Sequence, residues 1–466
     1  MEDIAAPHEQ PSKAHEELVK KWGSPQFLTA LVVCHTIFLR KTLEEFFPGP
    51  STGLIVFLSI VAVVNFFIKV VSFRHIRDAP RAKVSSEWPD ALKDKTLSII
   101  FPAYNEGDTI DSIVRSALAS SSNKNIEVIV VNDRSKDNTW EVLKHIDDDL
   151  KDPRYRPIQG KDRGKVAWKG KNWSVAQGYE AAKGDYLLFC DADVTLKPQA
   201  IETMLTTLVD LEPGVGWISF VPKTTFSCLS EYIFNWPGTM IAQALIPRSV
   251  NTGKKTYAFG QCNLFERKTY ERLGGHRGIG HFVAESHALA TKAQEMSIPM
   301  RCYLAFEHVE LVWYFSFNEC WNGQLKSIRG RLLKPLPVIN RALPRSLVAA
   351  AMSIFVVWQT LPWLLLLLQV AKVINGLSGW GWPDSLLTLA CGASVLSSYL
   401  NRLLGFVYLG YDMCFWWISP WASSWMLMLM AIRACRPDAG GRWGDGEVPE
   451  GFSLPKDVPP SNTNTS

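Results

Sequence analysis

Acidic side chains follow three short apolar runs in the middle of the chain. The runs end at positions 101, 131 and 190, and the acidic residues after them are Glu106, Asp133, Asp191 and Asp193. Aspartate is common in turns after strands, where it also caps the next helix. Two carboxylates in D-x-D spacing equally suit a hard divalent cation, which prefers oxygen ligands and keeps positions open for substrate phosphates. The sequence therefore predicts an Mn²⁺ or Mg²⁺ site at Asp191 and Asp193.

The segments that carry these residues alternate strand and helix signals between positions 95 and 310. Strands are predicted at 97–101, 126–131, 186–190 and 215–221, and helices after an N-cap at Asp108, over 137–145 and 173–182, and from Pro198. This alternation predicts an α/β domain with a mostly parallel sheet. Ligands of such sheets bind beyond the carboxyl ends of the strands, where the acidic residues converge. No G-x-G-x-x-G follows the first run and no P-loop motif occurs, which argues against dinucleotide dehydrogenases and P-loop enzymes.

A series of short motifs occurs in order along the same region. They read FPAYNE, VVNDRS, KGKNW, CDADV, FGQCN, YERLGG and AESHALA. In this order and spacing they resemble the family 2 glycosyltransferases, whose domain has the Rossmann-like GT-A fold that binds nucleotide sugars. The resemblance covers about 97–310, and the KGKNW stretch is more narrowly similar to the hopanoid-associated glycosyltransferases.

The resemblance implies roles for the residues that would bind the donor. Asp133 would bind the uracil or ribose of a nucleotide sugar, with Glu106 nearby. Asp191 would contact ribose or a metal-bound water, and Gln261 would belong to the substrate site. Lys171 lies where the family places a basic residue near the nucleotide. The donor implied is a UDP-sugar.

The resemblance also implies an inverting reaction in which a carboxylate removes the proton of the acceptor hydroxyl. Asp193 would ligate the metal that assists departure of the nucleoside diphosphate. The family's usual base is the second acid of a Glu-Asp or Asp-Asp pair, but that position is Ser286 here. Glu285 is therefore the candidate base, with His287 and His281 as alternatives.

Long apolar segments flank the α/β region. Strong candidates for membrane spans are 53–73 and 346–371, with one or two further spans over 385–432 and a weaker one at 25–39. Lys and Arg flank the inner ends of the spans, which predicts that the region between them faces the cytoplasm.

These features divide the chain into five parts. They are a polar tail (1–24), an N-terminal membrane region (25–73), a GT-A catalytic domain with interfacial helices (74–345), a C-terminal transmembrane region (346–435) and a disordered tail (436–466). We therefore expect a multi-pass membrane glycosyltransferase that acts on a lipid or lipid-linked acceptor.

Two other functions are compatible with the sequence. A polysaccharide synthase would extend a glycan and thread it through the spans, but the Q-x-x-R-W motif of polymerising members is absent, since Gln324 and Arg329 are five apart and no Trp follows. The other alternative is an inactive membrane scaffold, which would have no enzymatic activity. The net charge of +4 over 466 residues gives no support for a nucleic-acid partner.

Overall fold

The structure is a computed structural model. It describes residues 78–162, 170–226, 245–253, 256–282, 285–312 and 316–332, with short pieces between 360 and 447 and a few single residues elsewhere. By its internal contacts the chain divides into two compact units, one made of Met1–Val70 and Trp358–Ser398 and the other of Val71–Val357 and Tyr399–Ser466. The second unit contains the α/β region.

Twelve strands are described in this second unit. In chain order they are β1 (Leu97–Ala103), β2 (Ile126–Asn132), β3 (Tyr155–Gln159), β4 (Tyr186–Cys190), β5 (Val194–Leu196), β6 (Trp217–Val221), β7 (Lys223–Thr224), β8 (Cys262–Glu266), β9 (Arg301–Leu304), β10 (Val309–Leu311), β11 (Arg442–Trp443) and β12 (Gly446–Glu447).

Helices connect most of these strands. The α-helices with defined bounds are α1 (Ile110–Ala119), α2 (Thr139–Leu150), α3 (Gly170–Ala181), α4 (Ala200–Val209), α5 (Arg267–Arg272), α6 (Glu285–Glu295) and α7 (Phe317–Leu332). Residues 245–251 and 360–371 are helical as well. Two short 3-10 helices span Asp90–Leu92 and His276–Ile279.

The main sheet has seven strands in the order β3-β2-β1-β4-β8-β6-β9. The first four run parallel, β8 is antiparallel to both of its neighbours, and β6 and β9 are parallel to each other. The sheet is therefore mixed but mostly parallel, as the sequence predicts, and β8 supplies its two antiparallel pairings. Because β8 enters beside β4 in the opposite direction, it brings Gln261 next to Asp191: the Asp191 amide donates to the Gln261 carbonyl oxygen at 3.0 Å.

Both faces of the sheet are covered by helices. Successive residues of β1 point to opposite faces, so Ile99 packs in one buried cluster and Ile100 in the other. The first cluster includes apolar residues of α1, α2 and α4, and the second includes residues of α3, α5 and α6. The sheet thus lies between two layers of helices, and the loops that carry the polar residues lie at the ends of the central strands.

The loops after β1 and β2 are tied to each other. Asn105 has a left-handed backbone conformation (φ 56°), which asparagine adopts more readily than most residues, and so does Arg134 (φ 58°). The Asn105 amide donates to Ser135 Oγ at 2.9 Å, and Asn105 Oδ1 accepts from the Lys136 amide at 2.8 Å. Glu106 is held in the same way, since its amide donates to Thr139 Oγ1 at 2.8 Å.

Two cysteines face each other where β4 meets β8. Cys190 and Cys262 are directly opposite in the ladder. Asp191 and Gln261 form the adjacent hydrogen-bonded pair, so the cysteines occupy a non-hydrogen-bonded pair, in which side chains lie closest. Their sulfur atoms are 3.7 Å apart and both side chains are buried.

The predicted elements agree with the structure in the middle of the domain and differ at some ends. The strand at 186–190 is observed with the same bounds. The N-cap of α1 is Thr109 rather than Asp108, and α4 begins at Ala200, two residues after Pro198. Neither β3 nor β8 was predicted.

The predicted membrane segments fall largely outside the described residues. This holds for 25–39, 53–73, most of 346–371 and much of 385–432, as well as for both tails. Among the residues that are described, no helix has both the length and the apolar character needed to span a bilayer.

Candidate functional site

Lys171 joins two acidic side chains at the carboxyl end of β4. It lies in the first turn of α3, and its Nζ is 2.6 Å from Asp191 Oδ1 and 2.5 Å from Glu285 Oε1. Burial would lower the pKa of Lys171, but the charges of Asp191 and Glu285 outweigh it and raise the pKa above its ordinary value. The lysine therefore remains a cation held between two anions that come from distant parts of the chain.

Glu285 is the first residue of α6, and its side chain is buried. Burial alone would raise its pKa, but the neighbouring Lys171 charge and hydrogen bond hold the pKa below its ordinary value. A carboxylate in the first turn of a helix is also favoured by the helix dipole. Glu285 is therefore ionised in this arrangement.

Asp193 has a buried oxygen without a hydrogen-bond partner. Its Oδ1 finds no donor among the described residues, and the same is true of Gln261 Oε1. Burial raises the pKa of Asp193 well above its ordinary value, and the nearby charges of Asp191 and Glu106 raise it further. A buried acceptor left unpaired costs about 1–3 kcal/mol, so this region favours a bound cation or donor.

The D-x-D pair fits a divalent cation. The part of the chain that the structure describes has no cluster of three or more His, Cys, Asp or Glu side chains arranged around one metal position. Mg²⁺-type ions are commonly held by one or two carboxylates, with waters and substrate phosphates as the other ligands. Asp191 and Asp193 supply two carboxylates, and the unpaired Asp193 oxygen is the observation that supports their assignment.

Glu106 also interacts electrostatically with the D-x-D pair. Burial raises its pKa to about 7, a hydrogen bond from Thr109 opposes the rise, and the charges of Asp137 and Asp191 add to it. Glu106 is thus a carboxyl group that changes its protonation near neutral pH beside the D-x-D pair.

Asp133 is buried at the end of β2 and contacts the start of α3. Arg134 Nε donates to its Oδ1 at 3.1 Å. A Cβ on Gly170 would come within 2.6 Å of Asp133 Oδ2, so a larger residue at this position would require the Asp133 side chain to move. The predicted donor residues Asp133 and Lys171 are therefore brought together at the first turn of α3.

The two histidines considered as alternative bases have other surroundings. His281 is exposed. The His287 ring packs edge-on against Tyr257, with their centroids 4.3 Å apart.

A third histidine, His276, was missed by the sequence interpretation. It is buried, and its Nδ1 is 2.8 Å from the hydroxyl of Tyr270. Burial lowers its pKa to about 4, so it is neutral near pH 7 despite the nearby Glu285 charge. It lines the same cavity as Lys171 and Glu285. The only sequence signal was its position directly after the Gly-Gly of the YERLGG motif.

Tyr314 and Glu231 were also missed. The Tyr314 amide donates to the Glu231 carboxylate at 3.2 Å, and Glu231 is fully buried. Burial raises the pKa of the Tyr314 phenol, and the charge of Asp193 contributes, so this pair lies near the D-x-D segment.

Comparison with known proteins shows what the α/β region is similar to. Residues 98–274 match the sequence model of the family described as "Glycosyl transferase family 2". A relative from Staphylococcus aureus, 4,4'-diaponeurosporenoate glycosyltransferase, is 29% identical over 245 residues, which are 51% of this chain and 62% of that protein. The chain thus aligns with about three fifths of the length of this curated relative.

Solved structures show a more distant likeness. A mannosyltransferase from Pyrobaculum calidifontis in complex with GDP-Man and Mn²⁺ has a TM-score of 0.44 and 14% identity, and the match covers 81% of this chain and 97% of that one. Glucosyl-3-phosphoglycerate synthase from Mycobacterium tuberculosis, with Mn²⁺, UDP and phosphoglyceric acid, has a TM-score of 0.34 and 16% identity, covering 51% and 77%.

These comparisons support the prediction that the chain is a glycosyltransferase. Residues 98–274, which match the glycosyl transferase family 2 model, contribute six of the seven strands of the mixed central sheet. Asp133, Lys171, Asp191 and Asp193 lie inside the matched range, whereas Glu285 lies beyond it.

Proposed function

We propose that the chain transfers a sugar from a nucleotide sugar, UDP-linked, to a lipid or lipid-linked acceptor, with inversion at the anomeric carbon. The observation that carries the proposal is the convergence of Lys171, Asp191 and Glu285 at the carboxyl end of β4, since Lys171 and Asp191 lie in the range that matches the glycosyl transferase family 2 model. This group combines a fixed cation with carboxylates on both sides of it.

The donor would bind over the ends of β1, β2 and β4. Asp133 and Glu106 would contact the nucleoside, with Gln261 beside the sugar. Lys171 provides a permanent positive charge for the diphosphate, which is the group that gains charge when the bond to the sugar breaks. Asp191 and Asp193 would hold Mn²⁺ or Mg²⁺, which neutralises phosphate charge when bound.

Glu285 would receive the proton of the acceptor hydroxyl. The acceptor oxygen bonds to the anomeric carbon while the bond from that carbon to the diphosphate breaks, and the diphosphate leaves with the electron pair. The lowered pKa of Glu285 makes it a weak base while Lys171 contacts it. A diphosphate near Lys171 would compete for that positive charge, so Glu285 would become more basic when the donor is bound.

A lipid acceptor at a membrane is the finer part of the proposal. The S. aureus relative is named for 4,4'-diaponeurosporenoate, which supports a lipid-like acceptor. The apolar segments 53–73 and 346–371 border the region 74–345, and the basic residues at its ends favour a multi-pass membrane protein whose catalytic domain faces the cytoplasm. A role related to the hopanoid-associated enzymes is part of the same proposal.

The test is the substitution Glu285→Gln in the full chain. Purified protein is incubated with Mn²⁺, lipid extract and radiolabelled UDP-glucose, UDP-galactose, UDP-N-acetylglucosamine or GDP-mannose, and the label in extracted lipid is counted. We expect label transfer in the wild type and a loss of at least 100-fold in the variant, because a positioned base contributes about 10²–10⁴. Calorimetry should show unchanged binding of UDP with Mn²⁺.

The matched control is Glu295→Gln, which changes an exposed glutamate at the other end of the same helix. It should transfer sugar at the wild-type rate. Full transfer by the Glu285→Gln variant would exclude Glu285 as the base, and label found only in a water-soluble glycan would contradict the lipid acceptor.

A further inference from the structure

Asn172 follows Lys171 on α3 and is almost fully buried, with 1% of its surface exposed. Its Nδ2 donates to three backbone carbonyl oxygens, those of Ile279 and Gly280 at 3.1 Å each and that of Phe282 at 2.9 Å. One amide nitrogen with two hydrogens thus holds three carbonyls of a single short segment. We call residues 279–282 the clamped segment.

The clamped segment lies just before Glu285 in the chain. Lys171 contacts the carboxylate of Glu285 at 2.5 Å, while Asn172 holds the backbone a few residues earlier. Two adjacent residues of α3 therefore fix the same stretch of chain, one through backbone carbonyls and the other through the proposed base. The position of Glu285 relative to Lys171 depends on both contacts.

Trp168 holds the clamped segment from another side. A Cβ on Gly280 would lie 2.5–2.8 Å from atoms of the Trp168 indole, so the ring packs directly on the glycine backbone. Trp168 in turn packs edge-on against Trp173, with centroids 5.5 Å apart. Asn172 of the KGKNW motif and Trp168, which precedes that motif, thus both contact this segment.

We propose that Asn172 is a positioning residue for sugar transfer, which fixes the clamped segment so that Glu285 stays beside Lys171. The inference rests on the proposed function, because it concerns the geometry of that reaction. Asn172 acts through Glu285. Because an error of about 1 Å in the placement of a reacting group can cost about 100-fold in rate, loss of the clamp should reduce turnover more than donor binding.

The principal test is Asn172→Asp in the full chain. The two side chains have nearly the same shape, but the carboxylate presents an oxygen to three carbonyl oxygens and repels them. With the donor that the wild type uses best among UDP-glucose, UDP-galactose, UDP-N-acetylglucosamine and GDP-mannose, kcat should fall at least tenfold. The KM for the donor and the Kd for UDP with Mn²⁺ should change less than threefold.

Hydrogen–deuterium exchange gives a readout that does not depend on activity. Amides of residues 276–282 should exchange at least tenfold faster in the Asn172→Asp variant, while those of β1 and β2 keep wild-type rates. If this variant does not fold, Gly280→Ala displaces the same segment from the side of Trp168 and should give the same pattern.

Asn251 offers a matched control. Its Nδ2 donates to the Cys302 carbonyl at 3.0 Å and its Oδ1 accepts from the Cys302 amide at 2.7 Å, so it ties the end of the helical segment 245–251 to β9. Asn251→Asp should lose stability and keep kcat within twofold.

The outcomes separate the two proposals. Unchanged kcat or unchanged exchange in the Asn172→Asp variant overturns the positioning role, as does an equal loss of kcat in Asn251→Asp. Absence of turnover by the wild type with every donor overturns the proposed function and the catalytic part of this inference together.

Discussion

The Lys171 side chain is the cation that two acidic side chains of the site share. Its ammonium group contacts Asp191 and Glu285, and all three side chains are largely buried. Removing one partner of a buried charge group leaves the other charges unpaired, which is the costly event, whereas the intact group contributes little net stability. The function of Lys171 and its effect on folding are therefore linked.

Lys171→Met should lower the free energy of unfolding by about 3–5 kcal/mol, because two buried carboxylates lose their cation. Urea denaturation followed by circular dichroism measures the change. Lys197→Met is the matched control, since Lys197 Nζ is also 2.5 Å from a carboxylate, that of Glu310, but in a more exposed setting. The control should cost about 1 kcal/mol or less. Equal costs for the two variants would contradict the buried-group interpretation.

Glu106 predicts a dependence of stability on pH. Its folded-state pKa of about 7 lies above the ordinary value of 4.5, so between these values the folded state holds a proton that the unfolded state has lost. The free energy of unfolding therefore falls as pH rises through this window, by up to about 3 kcal/mol. Glu106→Gln, which cannot ionise, should show a smaller fall, and the part that remains comes from Asp193, whose pKa is also raised.

The measurement is urea denaturation at pH 5, 6, 7 and 8 in buffer free of divalent metal. Asp108→Asn changes an exposed carboxylate two residues away and should keep the wild-type pH profile. Superimposable profiles for the wild type and Glu106→Gln would show that Glu106 ionises normally in the folded protein.

At the scale of elements, the loops after β1 and β2 position the acidic residues by binding each other. Asn105 combines a left-handed backbone with a side-chain acceptor for the Lys136 amide. Asn105→Ala should cost about 2–3 kcal/mol, since it loses a hydrogen bond and replaces asparagine, which tolerates the left-handed conformation, by a residue that disfavours it, each worth about 1–2 kcal/mol.

Asn105→Gly separates the two contributions, because glycine accepts the conformation but cannot make the hydrogen bond. It should cost about 1 kcal/mol, measured by the same urea titration. A glycine variant as unstable as the alanine variant would exclude backbone strain as a contribution.

The elements also show what could be predicted from the sequence and what could not. The strand at 186–190 was predicted with its observed bounds because five consecutive apolar residues lie between polar ones. β3 (YRPIQ) was missed because an edge strand is only partly buried and its sequence alternates weakly. β8 was missed because Asn263 interrupts its apolar run, and its antiparallel direction depends on contacts far away in sequence.

Some residues of the candidate site could be predicted from the sequence and others could not. Asp133, Asp191 and Asp193 were accessible to prediction because they directly follow strands. The contact of Lys171 with Glu285 joins residues 114 positions apart and required the fold. Asn172 was missed because its partners are backbone carbonyls, which leave no trace in side-chain identity.

At the scale of the whole α/β unit, the sheet separates two apolar clusters. Leu205 of α4 is buried on one face and Leu289 of α6 on the other. Each substitution to alanine should cost about 2–5 kcal/mol. Because the clusters share no helix, the double variant should lose the sum of the two costs within about 0.5 kcal/mol.

Denaturation of the two single variants and the double variant tests this additivity. Leu205→Ala combined with Ile201→Ala provides the comparison, since both residues lie on α4 in one cluster and should deviate from the sum. Strong coupling between Leu205 and Leu289 would mean that the two layers respond to substitution as one core.

The rate at which the facing thiols of Cys190 and Cys262 are alkylated can report how often β4 and β8 separate. Burial raises the pKa of Cys190 well above its ordinary value, and contact with Cys262 raises it further, so the reactive thiolate is scarce while β4 and β8 remain paired. Alkylating reagents therefore reach these sulfur atoms only when the two strands separate. Since Asp191 follows Cys190 directly, any ligand that stabilises the D-x-D segment should slow the labelling, and an added acceptor that leaves this segment unaffected should not.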